Sequence, residues 1–198
     1  ASDADKALHA VAYADAASEL LEQCEELGVA PAAVVVSTLD TTHAGLLLGL
    51  RASGAAMGLH AISPNEPAIF SDRSIEEEVA RVANGAADLL GLDVRLDASD
   101  VDTSTEHVGA GYGAVTGAAN AAIGLFAATE ALALDPVYTA KAAAALVADC
   151  REARWGRDDV VVFWHTGGLP ALFAYADRLG LTAPGRAPEG DSPDAGRA

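Results

Sequence analysis

Lysine is almost missing from this chain: Lys6 and Lys141 are the only two in 198 residues, and every other basic side chain except histidine is arginine. Positive charge is scarce altogether, with 12 Lys and Arg against 29 Asp and Glu and a formal net charge of −17. Such a surface repels polyanions, so nucleic acid is excluded as a partner. Cysteine is scarce too. Cys24 and Cys150 stand far apart, outside any CxxC or Cys/His spacing. That excludes a disulfide framework or zinc site and leaves two buried thiols in a reducing compartment as the expectation. The five histidines (His9, His43, His60, His107, His165) lack ligand spacing, so no metal is expected. No run of about 18 uncharged apolar residues occurs, so no membrane span is expected. The acidic start Ala1-Ser2-Asp3-Ala4-Asp5-Lys6 lacks the order of a signal peptide. A cytoplasmic protein is the default.

What is present is a core. Hydrophobic residues make up 51% of the chain, enough for one sizeable domain. The acidic, lysine-poor surface has two readings: hydration in concentrated salt, or a GC-rich genome that writes Arg and Ala for Lys and Ile.

Helix spacing runs through Ala7–Leu27 up to Gly28, and Ala33-Val34-Val35-Val36-Ser37 reads as a strand buried on both faces. His43–Gly54 follows as a helix and Met57–Ile62 as a strand. A helix capped by Ser71 or Asp72 continues to Leu90 and stops at Gly91. Asp93–Leu96 alternates like a short strand, Asp97–Glu106 reads as a polar surface loop, and Ala118–Leu132 and Val137–Ala153 read as helices. Asp159–Trp164 is a buried strand candidate, and Pro170–Leu179 a closing helix. Alternating strands and helices predict an α/β fold with a mostly parallel sheet. Residues 1–181 form the domain, and 182–198, rich in Pro, Gly, Asp and Arg, read as a disordered tail.

Four segments carry possible chemistry. In Ser37-Thr38-Leu39-Asp40-Thr41-Thr42-His43-Ala44-Gly45, a buried strand, a polar turn and a helix start offer N–H groups and a helix dipole to an anion; the plainer reading is a turn without ligand. Gly109-Ala110-Gly111-Tyr112-Gly113-Ala114 reads as a mobile loop presenting a phenol, or as a simple turn. Asp135-Pro136-Val137-Tyr138-Thr139-Ala140-Lys141 is a capped helix start. His165-Thr166-Gly167-Gly168-Leu169-Pro170 follows a strand at its carboxyl end, where open α/β sheets bind ligands.

Taken together, in this order and spacing, these segments resemble the D-cysteine desulfhydrase and 1-aminocyclopropane-1-carboxylate (ACC) deaminase family of pyridoxal-phosphate enzymes, over Ala7 to Tyr175. The resemblance implies the large domain of fold type II, with the cofactor lying between two domains and dimers as a common assembly. It implies a phosphate cradle at Ser37, Thr38, Thr41 and Thr42, and ring contacts from Thr166 and Gly167. Tyr112 and Tyr138 would face a small amino-acid substrate. Thr139 stands where ACC deaminases carry a glutamate, as in the D-cysteine desulfhydrase-like branch.

The resemblance also implies that the Schiff-base lysine lies before Ala1, so that this chain is a C-terminal portion. Lys141 is then an exposed helical lysine, and Lys6 sits at a fraying terminus. Three departures point toward weakened cofactor binding. Thr38 and Thr41 replace glycines, at about 1–2 kcal/mol each if φ stays positive. Asp40 would repel a phosphate dianion at ~6 Å by roughly 5 kcal/mol, an upper estimate. His9 and Ala12 replace glycines of the first helix and would crowd its packing. The implied reaction is β-elimination of a D-cysteine-like amino acid to pyruvate, ammonia and sulfide. The alternatives are a decayed, non-enzymatic homologue, an ACC deaminase, or a domain binding another anion at Thr41-Thr42-His43.

Overall fold

The computed structural model describes residues 2–180, so the tail reading at 182–198 lies outside the described residues. Helix α1 (Asp3–Leu27) is set at both ends by its own sequence. Ser2 and Asp5 form a reciprocal capping box, and Gly28 closes the helix in the left-handed region at φ 65°. Lys6 therefore sits in a capped first turn rather than at a frayed end.

The buried face of α1 is made of small residues, Ala7, Ala10, Ala14, Ala17 and Cys24. Small side chains let α2 (Thr41–Ala52) approach until backbone nearly touches backbone. A Cβ on Gly49 would lie 2.6 Å from the Ala14 carbonyl oxygen, and one on Gly45 would overlap that of Ala10. The glycines needed for this packing thus belong to α2. His9 and Ala12 face solvent and crowd nothing.

Four parallel strands follow among the described residues: β1 (Ala33–Ser37), β2 (Gly58–Ile62), β3 (Asp102–Ser104) and β4 (Val161–Trp164), in the order β3-β2-β1-β4. β1 is central, and its β-branched run is buried on both faces. Val34 and Val36 pack with α1, α2 and α3 (Ile75–Leu90), whereas Val35 packs with Ala142 and Ala145 of α5 (Thr139–Arg151). α4 (Gly117–Glu130) lies against α5, and α6 (Leu169–Ala174) follows β4. The sheet is sandwiched between α1-α2-α3 and α4-α5.

Several sequence expectations are corrected. Asp93–Leu96 is not a strand: Leu96 is tied by its N–H and carbonyl to the Asn84 amide, at 3.0 and 2.8 Å. The third strand lies inside the acidic stretch read as a loop, which an edge position tolerates because its polar side chains meet water. β4 is also an edge and is only half-buried. α3 is capped by Ser74 in a box with Glu77, leaving Asp72 free to pair with Arg73. α5 starts at Thr139, and Lys141 on it is fully buried, not exposed. Cys24 is buried, but Cys150 is exposed at the end of α5. No helix of the described residues is long and apolar enough to cross a membrane.

Candidate functional site

From β1 the chain winds outward through β2 to β3, then returns to place β4 on the other side of β1. The direction of winding reverses between β1 and β4, so the connections leaving their carboxyl ends diverge and open a crevice. A cavity of about 470 Å³ lies there. Ser37, Thr38, Asp40 and Thr42 line it from the β1–α2 turn, and Thr166, Gly167 and Gly168 from the turn after β4. Tyr112 and Tyr138 complete its wall. Thr41 alone of the sequence-predicted residues stands outside the lining. Its N–H donates to Asp40 Oδ1 at 2.7 Å. A larger groove of about 580 Å³ between α1, α2 and the end of α3 is mainly apolar and lacks converging polar groups.

At the β1–α2 turn the Ser37 Oγ is buried and has no hydrogen-bond partner among the described residues. Thr38 donates its N–H to the Ile62 carbonyl at 3.1 Å, which leaves its hydroxyl as the donor it can offer a ligand. Neither Thr38 nor Thr41 has a positive φ, and the strain expected for threonine in place of glycine is not incurred. Beyond the turn, α2 presents first-turn amides that have no intrahelical acceptor. Asp40 takes one of them, and its other oxygen lies 2.9 Å from Lys6 Nζ.

The two tyrosines are delivered by separate braces. Tyr138 precedes α5, where Asp135, fully buried, accepts from the N–H groups of Val137, Tyr138 and Thr139 at 2.8–2.9 Å. The Thr139 hydroxyl also donates to Asp135, at 2.8 Å, so Thr139 serves the cap and does not line the cavity. The same carboxylate packs under the second turn, since a Cβ on Gly168 (φ +91°) would lie 2.5 Å from Asp135 Oδ1. Tyr112 rides on the Gly109–Gly113 loop, held by its N–H to Glu66 Oε1 at 3.2 Å and by Lys141 Nζ donating to the Val108 carbonyl at 2.7 Å. The two phenols hydrogen-bond to each other. That bond, with partial burial, pushes the Tyr138 hydroxyl up to about 12.

His165 braces the last turn, accepting from the Gly167 N–H at Nδ1 (3.1 Å) with Nε2 at 3.2 Å from the Ala133 carbonyl. Neither lysine lines the cavity. Lys141 is buried behind the Tyr112 loop, and burial pushes its amine below the usual range. Burial opposes the charge on Lys6 too, but the hydrogen bonds it donates to Glu78 and Asp40 outweigh it and the net shift is upward.

The family model described as "Pyridoxal-phosphate dependent enzyme" matches residues 1–167. The chain belongs to this family. Among pyridoxal-phosphate dependent enzymes it is similar to the D-cysteine desulfhydrases of Salmonella newport (strain SL254) and Salmonella enteritidis PT4. Each is 35% identical over 171 residues, covering 85% of this chain and 49% of the relative. A solved structure described as an ACC deaminase homologue superimposes with a TM-score of 0.74 at 28% identity, over 87% of this chain and 49% of its own. The parallel α/β sandwich is thus that of the pyridoxal-phosphate enzymes of fold type II. The chain spans about half the length of the curated relatives it matches.

The residues present fit pyridoxal phosphate. The cavity is within the size range of small-ligand sites. The orphaned Ser37 hydroxyl and the α2 amides suit a phosphate, and the Thr166 hydroxyl stands across the cavity from them.

Sequence reasoning identified the turns but missed their supports. Asp135 was legible as a helix cap, though not as a buried carboxylate serving four donors. Glu66 and the buried orientation of Lys141 carried no local signal.

Proposed function

We propose that this chain carries the cofactor-facing wall of a pyridoxal-phosphate-dependent lyase that eliminates a small, D-cysteine-like amino acid to pyruvate, ammonia and sulfide. The single observation supporting it is the convergence of the β1–α2 turn, the Thr166-Gly167-Gly168 turn and two bonded phenols on one cavity. Ser37, Thr38 and Thr42, with the α2 amides, hold the phosphate, while Thr41 secures Asp40. Thr166 and Gly167 would hold the ring side of the cofactor, the Thr166 hydroxyl offering the pyridine nitrogen a neutral hydrogen-bond donor. Bound pyridoxal phosphate supplies an electron sink for the substrate α-carbon.

Tyr138, pushed up to about 12, stays a protonated donor across the neutral range and orients the substrate carboxylate. Tyr112, bonded to Tyr138 and 54% exposed, links that phenol to solvent water, with which the pair exchanges a proton. The amine that binds the cofactor covalently comes from outside the described residues. A D-cysteine-like substrate is preferred over an ACC-like one because the 35%-identical relatives carry that activity in their names and Thr139 stands at the branch-distinguishing position.

The test is calorimetric binding of phosphopyridoxyl-D-alanine, phosphopyridoxyl-L-alanine and pyridoxal phosphate. Expected is tighter binding of the D-alanine conjugate than of the other two, with the advantage erased in Tyr138→Phe. Equal affinities for all three ligands would sink the amino-acid reading.

A further inference from the structure

Among the described residues Asp40 is the one charged side chain lining the cavity, and it stands where a phosphate is expected. Its carboxylate caps α2 through the Thr41 N–H, while its second oxygen meets Lys6 Nζ at 2.9 Å. Lys6 is fastened in turn: Nζ lies 2.6 Å from Glu78 and over the Phe70 ring. Glu78, nearly buried, is also held by Arg73 and Arg81 at 3.0 and 2.8 Å. The ammonium that neutralises Asp40 is therefore a fixed part of the α1–α3 packing, not a mobile surface charge. Independently, Ser37 lines the same cavity and is 5% exposed, and its buried hydroxyl lacks a partner among the described residues, which points to an acceptor ligand beside this helix start.

We propose that Asp40 is an internal anion that sets the affinity of the cavity for a phosphate monoester, with Lys6 as the counter-ion deciding how much of its charge the ligand meets. The proposal rests on the pyridoxal-phosphate reading and deepens it. Asp40 occupies a donor that the phosphate would use and opposes its charge. Lys6 cancels most of that opposition at 2.9 Å. The cradle is thus tuned by an ion pair rather than by glycine content. With the full Asp40 charge acting on a dianion at ~6 Å through water-like screening, and the Lys6 charge left in place, removal of the Asp40 charge is worth about tenfold in affinity.

The experiment measures binding of inorganic phosphate and of pyridoxal phosphate by calorimetry to wild type, Asp40→Asn, Lys6→Gln and Ser37→Ala. Asparagine caps a helix as well as aspartate does, so Asp40→Asn removes charge while keeping the helix start; far-ultraviolet circular dichroism checks this. Expected is about tenfold tighter binding of both ligands in Asp40→Asn and about tenfold weaker binding in Lys6→Gln. Ser37→Ala should weaken binding, which ties the anion to this cavity. Unchanged or weaker binding in Asp40→Asn, with the Ser37→Ala loss retained, overturns the role of Asp40 and leaves the cofactor reading standing. No saturable binding of either ligand by wild type or Asp40→Asn overturns both.

Discussion

Replacing Asp135 with alanine tests whether one buried carboxylate holds the substrate-facing wall together. Its two oxygens accept four hydrogen bonds, from the N–H groups of Val137, Tyr138 and Thr139 and from the Thr139 hydroxyl. Alanine leaves these donors without their acceptor in a region where Val137 and Thr139 are buried. A lone capping bond is worth about 1 kcal/mol, and each buried unpaired donor costs about 1–3 kcal/mol. These losses do not add, and relief from burying the carboxylate offsets part of them, so the expected loss is about 3–5 kcal/mol. For a chain of this length that lowers the melting temperature by on the order of 10 °C. Asp135→Asn keeps one acceptor oxygen and should lose roughly half as much.

The local effect is the sharper test. Tyr138 is pushed up to about 12 by its bond to Tyr112 and by burial, so releasing its backbone separates the phenols and returns its titration toward the ordinary 10. Urea unfolding gives the stability change. Rapid pH jumps followed by phenolate absorbance read the titration before the chain unfolds, with Tyr138→Phe to assign the high step to the pair. A loss below about 1 kcal/mol in Asp135→Ala, or a tyrosine titration identical to wild type, would refute the reasoning.

Four further outcomes follow from the same geometry. Gly45→Ala drives a Cβ into the Ala10 carbonyl, which no rotamer relieves, so a loss of at least about 3 kcal/mol is expected in urea unfolding; a loss under 1 kcal/mol would mean α1 and α2 pack less closely. Acid should weaken the fold in two windows, because both groups have depressed folded values: His43, held near 4 mainly by burial, loses its contribution as pH falls from 6.5 to 4, and Glu78, held near 2 chiefly by Arg81, from 4.5 to 2. The Glu78 window is on the order of 3 kcal/mol, and Glu78→Gln and His43→Gln should each flatten their own limb of the stability–pH curve. Lys141 should remain unmodified after borohydride treatment with pyridoxal phosphate, because its amine is fully buried against Val108; peptide mapping that finds a phosphopyridoxyl group there contradicts this. If the net charge of −17 reflects life in concentrated salt, added KCl should raise the unfolding midpoint, and a fall removes that reading.

Much of the fold was legible because its signals are local. Val34-Val35-Val36 reads as a strand buried on both faces, and Gly28 and Gly91 mark helix ends, whereas the boxes of Ser2 with Asp5 and of Ser74 with Glu77, equally local, set starts that the sequence pattern places at Ala7 and at Ser71 or Asp72. The segments with site chemistry were legible for the same reason, as strand-to-helix turns and a glycine-flanked tyrosine. What failed was whatever depends on a neighbour distant in sequence. Asp102–Ser104 is a strand only because β2 offers it an edge, and Asp93–Leu96 is not one because Asn84 takes its backbone groups.

Lys141 shows the same division. Its place on a helix is local, but its burial is decided by the Val108 carbonyl, 33 residues earlier in the chain. Asp40 looked prohibitive beside a phosphate until α1 brought Lys6 to 2.9 Å from it. Sequence alone therefore determined which turns exist and which side chains they carry. Only the tertiary structure decided that they share a cavity and that Asp40 in it is paired with Lys6, because strand order and charge pairing act across space rather than along the chain.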